Sequence, residues 1–283
     1  MSTDRLSTYW YNGQLIVSNT VELAIADPGV LYGATVFTTL RVYGDLDHPL
    51  TQWAGHCDRL RTSLQTFGWP QPDWPRLRQG AQALMTQFAV LRIVIFADGR
   101  EWITGRALPP DLAQRQQQGI SAWLVAPPSP TADYGASPPV AQTWMRSLPL
   151  HKTSNYLVPW LALQQAQQRG AQEAILVDEA GNWLETSTGN LWGWGGGYWW
   201  TPPVAGILPG LSRNHLIQRL KCQNVKVEEA VWTPDLVQQL TAIAYSNCVV
   251  ELIPIHTILS ITSPPVKRFA IGSWRSLQRL FCP

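Results

Sequence analysis

Lys152, in LPLHKTSNYL, is the only lysine before residue 221 in a chain that carries 17 Arg and four Lys. Where arginine supplies nearly all ordinary positive charge, a lone lysine suggests a task guanidinium cannot do, such as attack by a neutral amine on a carbonyl. Partial burial just ahead of a helix would lower its pKa and raise the neutral fraction. Glu185 follows in NWLETSTGNLW among Trp183, Leu184 and Leu191. A carboxylate in so apolar a setting should have a charged partner. GILPGLSRNHL, residues 206–216, joins a glycine and proline turn to a helix start with Ser212 as the expected cap, an arrangement that binds phosphate through backbone N–H groups. Arg59, in GHCDRLRTSL, could add a guanidinium to the same anion. Singly, each has a plain structural use, as a snorkelling lysine, a strand-edge glutamate, a helix cap or a solvated arginine.

An amine for an aldehyde, a carboxylate for a protonated pyridine nitrogen and several donors for a dianionic phosphate are together the needs of pyridoxal 5′-phosphate. The chain resembles the fold-type IV pyridoxal phosphate enzymes, the group containing branched-chain and D-amino-acid aminotransferases and 4-amino-4-deoxychorismate lyase. The resemblance runs in order through YGATVF (32–37), HCDRL (56–60), HKTSNY, ETSTGNLW, GILPGLSR and AYSNCVVELIPI. It implies an α+β (mixed α/β) fold in two domains with the cofactor at their interface. It also implies Lys152 bonded to the aldehyde, Glu185 on the pyridine nitrogen, Leu208 against the ring, and Arg59, Leu211 and Ser212 at the phosphate. The last phosphate contact falls near Asn247 and Cys248, with the backbone N–H of Cys248 expected to matter more than its thiol. A homodimer is implied as well.

The same cofactor serves several reactions, so residues over the reactive face must distinguish them. VFTTLRVYG carries Thr38-Thr39 where branched-chain aminotransferases resemble FEG and D-amino-acid aminotransferases YEV. A Thr pair there resembles the aminodeoxychorismate lyases, whose second Thr, here Thr39, would shuttle a proton, although a β-branched residue also simply suits a strand. The resemblance therefore implies elimination of pyruvate from aminodeoxychorismate to give 4-aminobenzoate, with aminotransfer on D-amino or branched-chain amino acids as the alternative. That substrate is a dicarboxylate; Arg100 in FADGREW is favoured over Arg106 in ITGRAL to grip it, with Tyr32 also placed at the substrate.

The elements that must position these residues follow from periodicity. Asn12-Gly13 suits a type I′ hairpin turn, VFTTLRVYG a strand, and Trp53 to Phe67 a helix with Leu60, Leu64 and Phe67 on one stripe. Arg78 to Ala89 reads as a second helix, VLRIVIF and ISAWLVA as strands. Residues 154–170 read as a helix capped by Ser154 or Asn155, with Pro159 tolerable in its first turn. EAILVD, WLETS, NLWGW and YWWT read as an antiparallel meander, and SRNHLIQRLKC as a helix. The Pro-rich run PPSPTADYGASPP suggests a small domain over 1–126, a connecting loop over 127–139 and a large domain over 140–283.

Composition excludes several classes. With 45% hydrophobic and 14% charged residues the chain can bury a large core, and a net charge of +2 spread along it shows no basic stripe for nucleic acid or membrane. The N-terminus lacks a basic then apolar signal pattern, so the expected address is the cytoplasm. Cysteines at 57, 222, 248 and 282 have no zinc or disulfide spacing and are expected to be reduced thiols, and the five His share no metal spacing. GWGGGY misses a dinucleotide fingerprint and GLSRN a nucleophile elbow. A Trp-rich binding module is the reading from another class, but most of the 15 Trp are dispersed as core filling would have them.

Overall fold

The computed structural model describes residues 7–125, 144–260 and 267–281, which form two compact units, Met1–Pro110 with His151–Asn155, and Asp111–Leu150 with Tyr156–Pro283. The connecting loop expected over 127–139 lies outside the described residues. The units divide earlier than that, at Pro110 and Asp111.

In the first unit, β1 (Thr8–Tyr11) and β2 (Gln14–Val17) form the expected hairpin, with Asn12 and Gly13 at φ 45° and 87° as a type I′ turn requires. The short helix α1 (Pro28–Leu31) precedes β3 (Thr35–Arg41). Helix α2 (Trp53–Phe67) has the expected bounds and ends at Gly68 in the left-handed region. Helix α3 spans Trp74–Met85 and not 78–89: Asp73 caps it by accepting from the Arg76 N–H, and Pro75 sits in the first turn. Strands β4 (Val90–Phe96) and β5 (Glu101–Arg106) complete an antiparallel sheet of order β2-β1-β5-β4-β3.

Period-two alternation puts Val36 and Leu40 of β3, and Leu91, Ile93 and Ile95 of β4, on the sheet face covered by Leu60 and Leu64 of α2 and Leu77, Ala81 and Leu84 of α3. Each fully buried leucine there contributes about 1.5–3 kcal/mol. α3 approaches so closely that a Cβ on Gly80 would lie 2.6 Å from the Trp10 indole. β3 is an edge strand, and its outer side pairs with 152–154: the Phe37 N–H donates to the Lys152 carbonyl (2.8 Å) and the Ser154 N–H to the Thr35 carbonyl (3.0 Å). This short pairing fixes the backbone of Lys152.

In the second unit, helix α4 (Leu112–Gln118) leads into β6 (Ile120–Leu124), and α5 (Leu157–Gln168) into β7 (Glu173–Val177), parallel to β6. The cap of α5 is Tyr156 and not Ser154 or Asn155, and it makes no side-chain cap bond. Pro159 falls in the first turn. β8 (Trp183–Thr186), β9 (Asn190–Gly195) and β10 (Tyr198–Thr201) precede α6 (Leu211–Cys222), β11 (Val227–Glu229), α7 (Pro234–Gln239), β12 (Ala242–Asn247), β13 (Glu251–Leu259), β14 (Lys267–Arg268) and α8 (Arg275–Gln278). The sheet runs β11-β10-β9-β12-β13-β6-β7-β8, with β14 on β13. The expected meander is therefore two hairpins: β7 with β8 at one end, and β9 with β10 separated from them by β12, β13 and β6. Alternation along each strand cannot report which strand lies beside it.

No helix among the described residues is long and apolar enough to cross a membrane, and no group of three metal-ligating side chains occurs among them. Cys57, Cys222 and Cys248 are free thiols, and burial pushes that of Cys57 up to about 11.

Candidate active site

In the first unit Lys152 is half-buried, with Nζ 4.6 Å from the centre of the Phe37 ring. The guanidinium of Arg92 lies over the same ring at 3.8 Å. Phe37 and Thr39 share one face of β3 by alternation, and Thr39 is paired directly with Arg92 of β4. An amine, a hydroxyl-bearing residue and a guanidinium thus converge on one patch. Arg92 was not singled out by its sequence, VLRIVIF; its exposed place in an otherwise buried strand was the available signal.

Thr38 points to the opposite face, fully buried, where its Oγ1 meets His56 Nδ1 at 2.6 Å and accepts from Arg59 Nη2 at 2.5 Å. Burial first, then the charges of Arg59 and Lys152, hold His56 well below its ordinary pKa, so it is neutral. His151 turns to α2, with Nδ1 3.0 Å from Ser63 Oγ and its ring against Phe67.

In the second unit Glu185 is almost wholly buried beside Arg146, with Nε 2.9 Å from Oε1 and side chains 2% and 5% exposed. That Nε lies off the line of a hydrogen bond, so the contact is an ion pair; the other nitrogen, Nη2, donates to Oε2 at 3.4 Å. Arg146 is the charged partner that Glu185 required. Like Glu185, it is a charge in an apolar run, WMRSLPL, and could have been marked on that ground. Leu208 is gripped through both backbone polar groups, its N–H donating to Glu185 Oε2 (3.3 Å) and its carbonyl accepting from Asn190 Nδ2 (2.8 Å).

Gly210 is the cap residue of helix α6, so no side chain caps it. Ser212 is not the cap: it sits in the first turn, buried, and donates to Cys248 Sγ at 3.4 Å, so the thiol is engaged as well. Leu211 opens the helix. Asn247 shapes the following turn by accepting from the N–H groups of Val249 (2.9 Å) and Val250 (3.0 Å).

The family model for amino-transferase class IV matches residues 35–258, which includes both of these sets. The chain belongs to the class IV aminotransferase family. It is 23% identical to the branched-chain-amino-acid aminotransferase of Salmonella typhimurium over 273 residues, covering 91% of this chain and 87% of that one. A putative branched-chain-amino-acid aminotransferase of Methanocaldococcus jannaschii is 25% identical over 258 residues, 88% and 87% of the two chains. Among solved structures, the branched-chain aminotransferase of Escherichia coli superposes with a TM-score of 0.75 at 22% identity over 97% and 92% of the chains. A hypothetical aminotransferase of Mycobacterium tuberculosis, in its PLP-bound form, gives 0.77 at 20% over 97% of each. The mixed α/β fold of the fold-type IV aminotransferases is thereby shown.

Class IV aminotransferases use pyridoxal 5′-phosphate, and the residues present fit it. A Cβ on Gly210 would fall 2.0 Å from Asn190 Oδ1, so packing requires glycine there, and a glycine cap leaves the first-turn N–H groups of α6 without a side-chain acceptor, as an anion site at a helix start needs. Glu185 is a buried carboxylate kept beside a cation, and Lys152 offers a primary amine.

The arginine favoured for the substrate is otherwise occupied. Arg100 pairs with Asp27 Oδ2 (2.5 Å) and Asp98 Oδ2 (2.6 Å) and donates to the Tyr11 hydroxyl (2.6 Å), and these partners raise its pKa further although burial opposes them. It ties the turn before α1 to the β4–β5 loop. Arg106 is exposed at the end of β5 and donates to its neighbour's carbonyl, Ala107, at 3.2 Å. Tyr32 closes α1 and is 76% exposed.

Proposed function

We propose that this class IV enzyme eliminates pyruvate from 4-amino-4-deoxychorismate to give 4-aminobenzoate. The observation that carries the reading is the Thr39 side chain, on the strand face that also presents Phe37, Lys152 and Arg92. Pyridoxal 5′-phosphate, when bound, supplies an electron sink that acidifies the carbon bearing the substrate amine. Lys152 then takes the proton from that carbon, and Glu185, held by Arg146 and the Leu208 N–H, keeps the ring nitrogen protonated. The hydroxyl of Thr39 relays a proton as the enolpyruvyl group departs. Arg92, and not Arg100, takes a substrate carboxylate. Arg59 and the α6 N-terminus, with Leu211, Ser212 and the Asn247–Cys248 turn, hold the phosphate, and Leu208 supports the ring.

The names of the curated relatives favour a second reading, transamination of branched-chain amino acids. At this level of identity they carry the family and not the reaction. One experiment separates the two. Holo-protein given aminodeoxychorismate alone should release 4-aminobenzoate and pyruvate repeatedly. A transaminase would instead lose its visible absorption on mixing with leucine and regain it only when a 2-oxo acid is added, an outcome that would replace the lyase reading. Lys152→Ala should abolish the visible band. Thr39→Val should keep that band and lower kcat by about 10²-fold or more.

A further inference from the structure

We propose that Thr38 is a positioning residue for the cofactor's phosphate: its hydroxyl joins Arg59 to His56 in a directed chain that sets the guanidinium. This rests on the reading that Arg59 takes the phosphate. The two adjacent threonines then divide their work by strand alternation, Thr39 on the face of Lys152 and Thr38 on the face of α2.

The direction of the chain follows from donor inventory. A guanidinium can only donate, so Arg59 Nη2–H enters the Thr38 oxygen at 2.5 Å. The hydroxyl proton is then available to His56 Nδ1 at 2.6 Å, which must be the bare nitrogen, with the ring proton on Nε2. The neutral state of His56, fixed by full burial and by two nearby cations, is what permits it to accept. His56 and Arg59 stand three residues apart on one face of α2, and Arg59 Nη2 also lies 3.4 Å from His56 Nδ1. Thr38 is 0% exposed, so no water can replace its hydroxyl without rearrangement. A planar guanidinium presents its donors in a fixed fork, and fixing one nitrogen orients the rest.

The consequence is selective: Thr38 should affect binding of the phosphate and not of the ring. Full-length protein freed of cofactor is titrated with pyridoxal 5′-phosphate and with pyridoxal, which lacks the phosphate. In wild type the phosphate ester should bind much more tightly. Thr38→Val, which keeps shape and strand preference but removes the hydroxyl, should weaken the ester about tenfold and leave pyridoxal within twofold. Thr38→Ser should restore the preference, and Thr39→Val should leave it intact. Thr38→Ala carries the same comparison if the valine variant does not fold. Equal weakening of both ligands would mean a packing role only and would overturn the proposal, as would an unchanged preference in Thr38→Val and Thr38→Ala. If wild type itself shows no preference for the ester, the phosphate reading of Arg59 fails, and this proposal with it.

Discussion

Two buried glutamates on neighbouring strands of the second unit have opposite surroundings. Glu185 of β8 faces the Arg146 guanidinium. Glu173 of β7 accepts, among the described residues, from neutral donors: the Ala174 N–H at 2.9 Å, the Thr188 hydroxyl at 2.5 Å, and the hydroxyl of Ser187. Burial pushes the Glu173 carboxyl above its ordinary value of 4.5, and the donors pull back only in part. Equal burial thus gives one carboxylate whose charge a cation sustains and one carboxyl biased toward its neutral form. Of the two, Glu185 is the one proposed above to face the cofactor's ring nitrogen. Glu173 instead secures the 187–188 turn between Glu185 and Asn190, the two residues that grip Leu208.

The sharpest way to break this contrast is to remove the cation. Arg146→Leu leaves Glu185 buried without its guanidinium, and denaturant unfolding of cofactor-free protein should show a loss of about 3–5 kcal/mol. The double variant with Glu185→Leu should recover much of that loss, because an ion pair replaced by apolar groups is often near neutral. An additive double variant would show that the pair is not coupled. Glu173→Ala should cost less, about 1–3 kcal/mol, since it leaves hydroxyl donors of Ser187 and Thr188 unsatisfied and no charge exposed. A loss equal to that of Arg146→Leu would erase the distinction between the two glutamates.

What was legible in the sequence was local. Asn12-Gly13 demanded its turn, the Leu60 and Leu64 stripe its helix, and Glu185 among apolar neighbours its charged partner. The identity of that partner was not legible, because Arg146 lies 39 positions upstream, before α5 and β7, and only folding pairs them. The partner of Arg100 was hidden for the same reason, since Asp27 lies 73 positions earlier. The first turn of α3 carries a local signal in Asp73 and Pro75, a cap and a first-turn proline that apolar periodicity alone does not register. Pairing of 152–154 along β3 had no local signature. A strand edge accepts whatever backbone the tertiary fold brings to it.

The smallest expected effect tests the protonation of Glu173 itself. With its folded pKa above the unfolded value, the native state binds more protons than the unfolded state between the two, and stability must fall as pH rises through that interval. Glu173→Gln keeps an acceptor oxygen and carries no ionisation, so its stability should be near that of wild type in acid and should not share the decline above about 4.5, the unfolded end of the window. The difference of the two denaturation curves, taken pH by pH, isolates the single group. A constant difference across the window would mean that the folded state does not raise the Glu173 carboxyl, and the contrast between the strands would then lie in geometry alone.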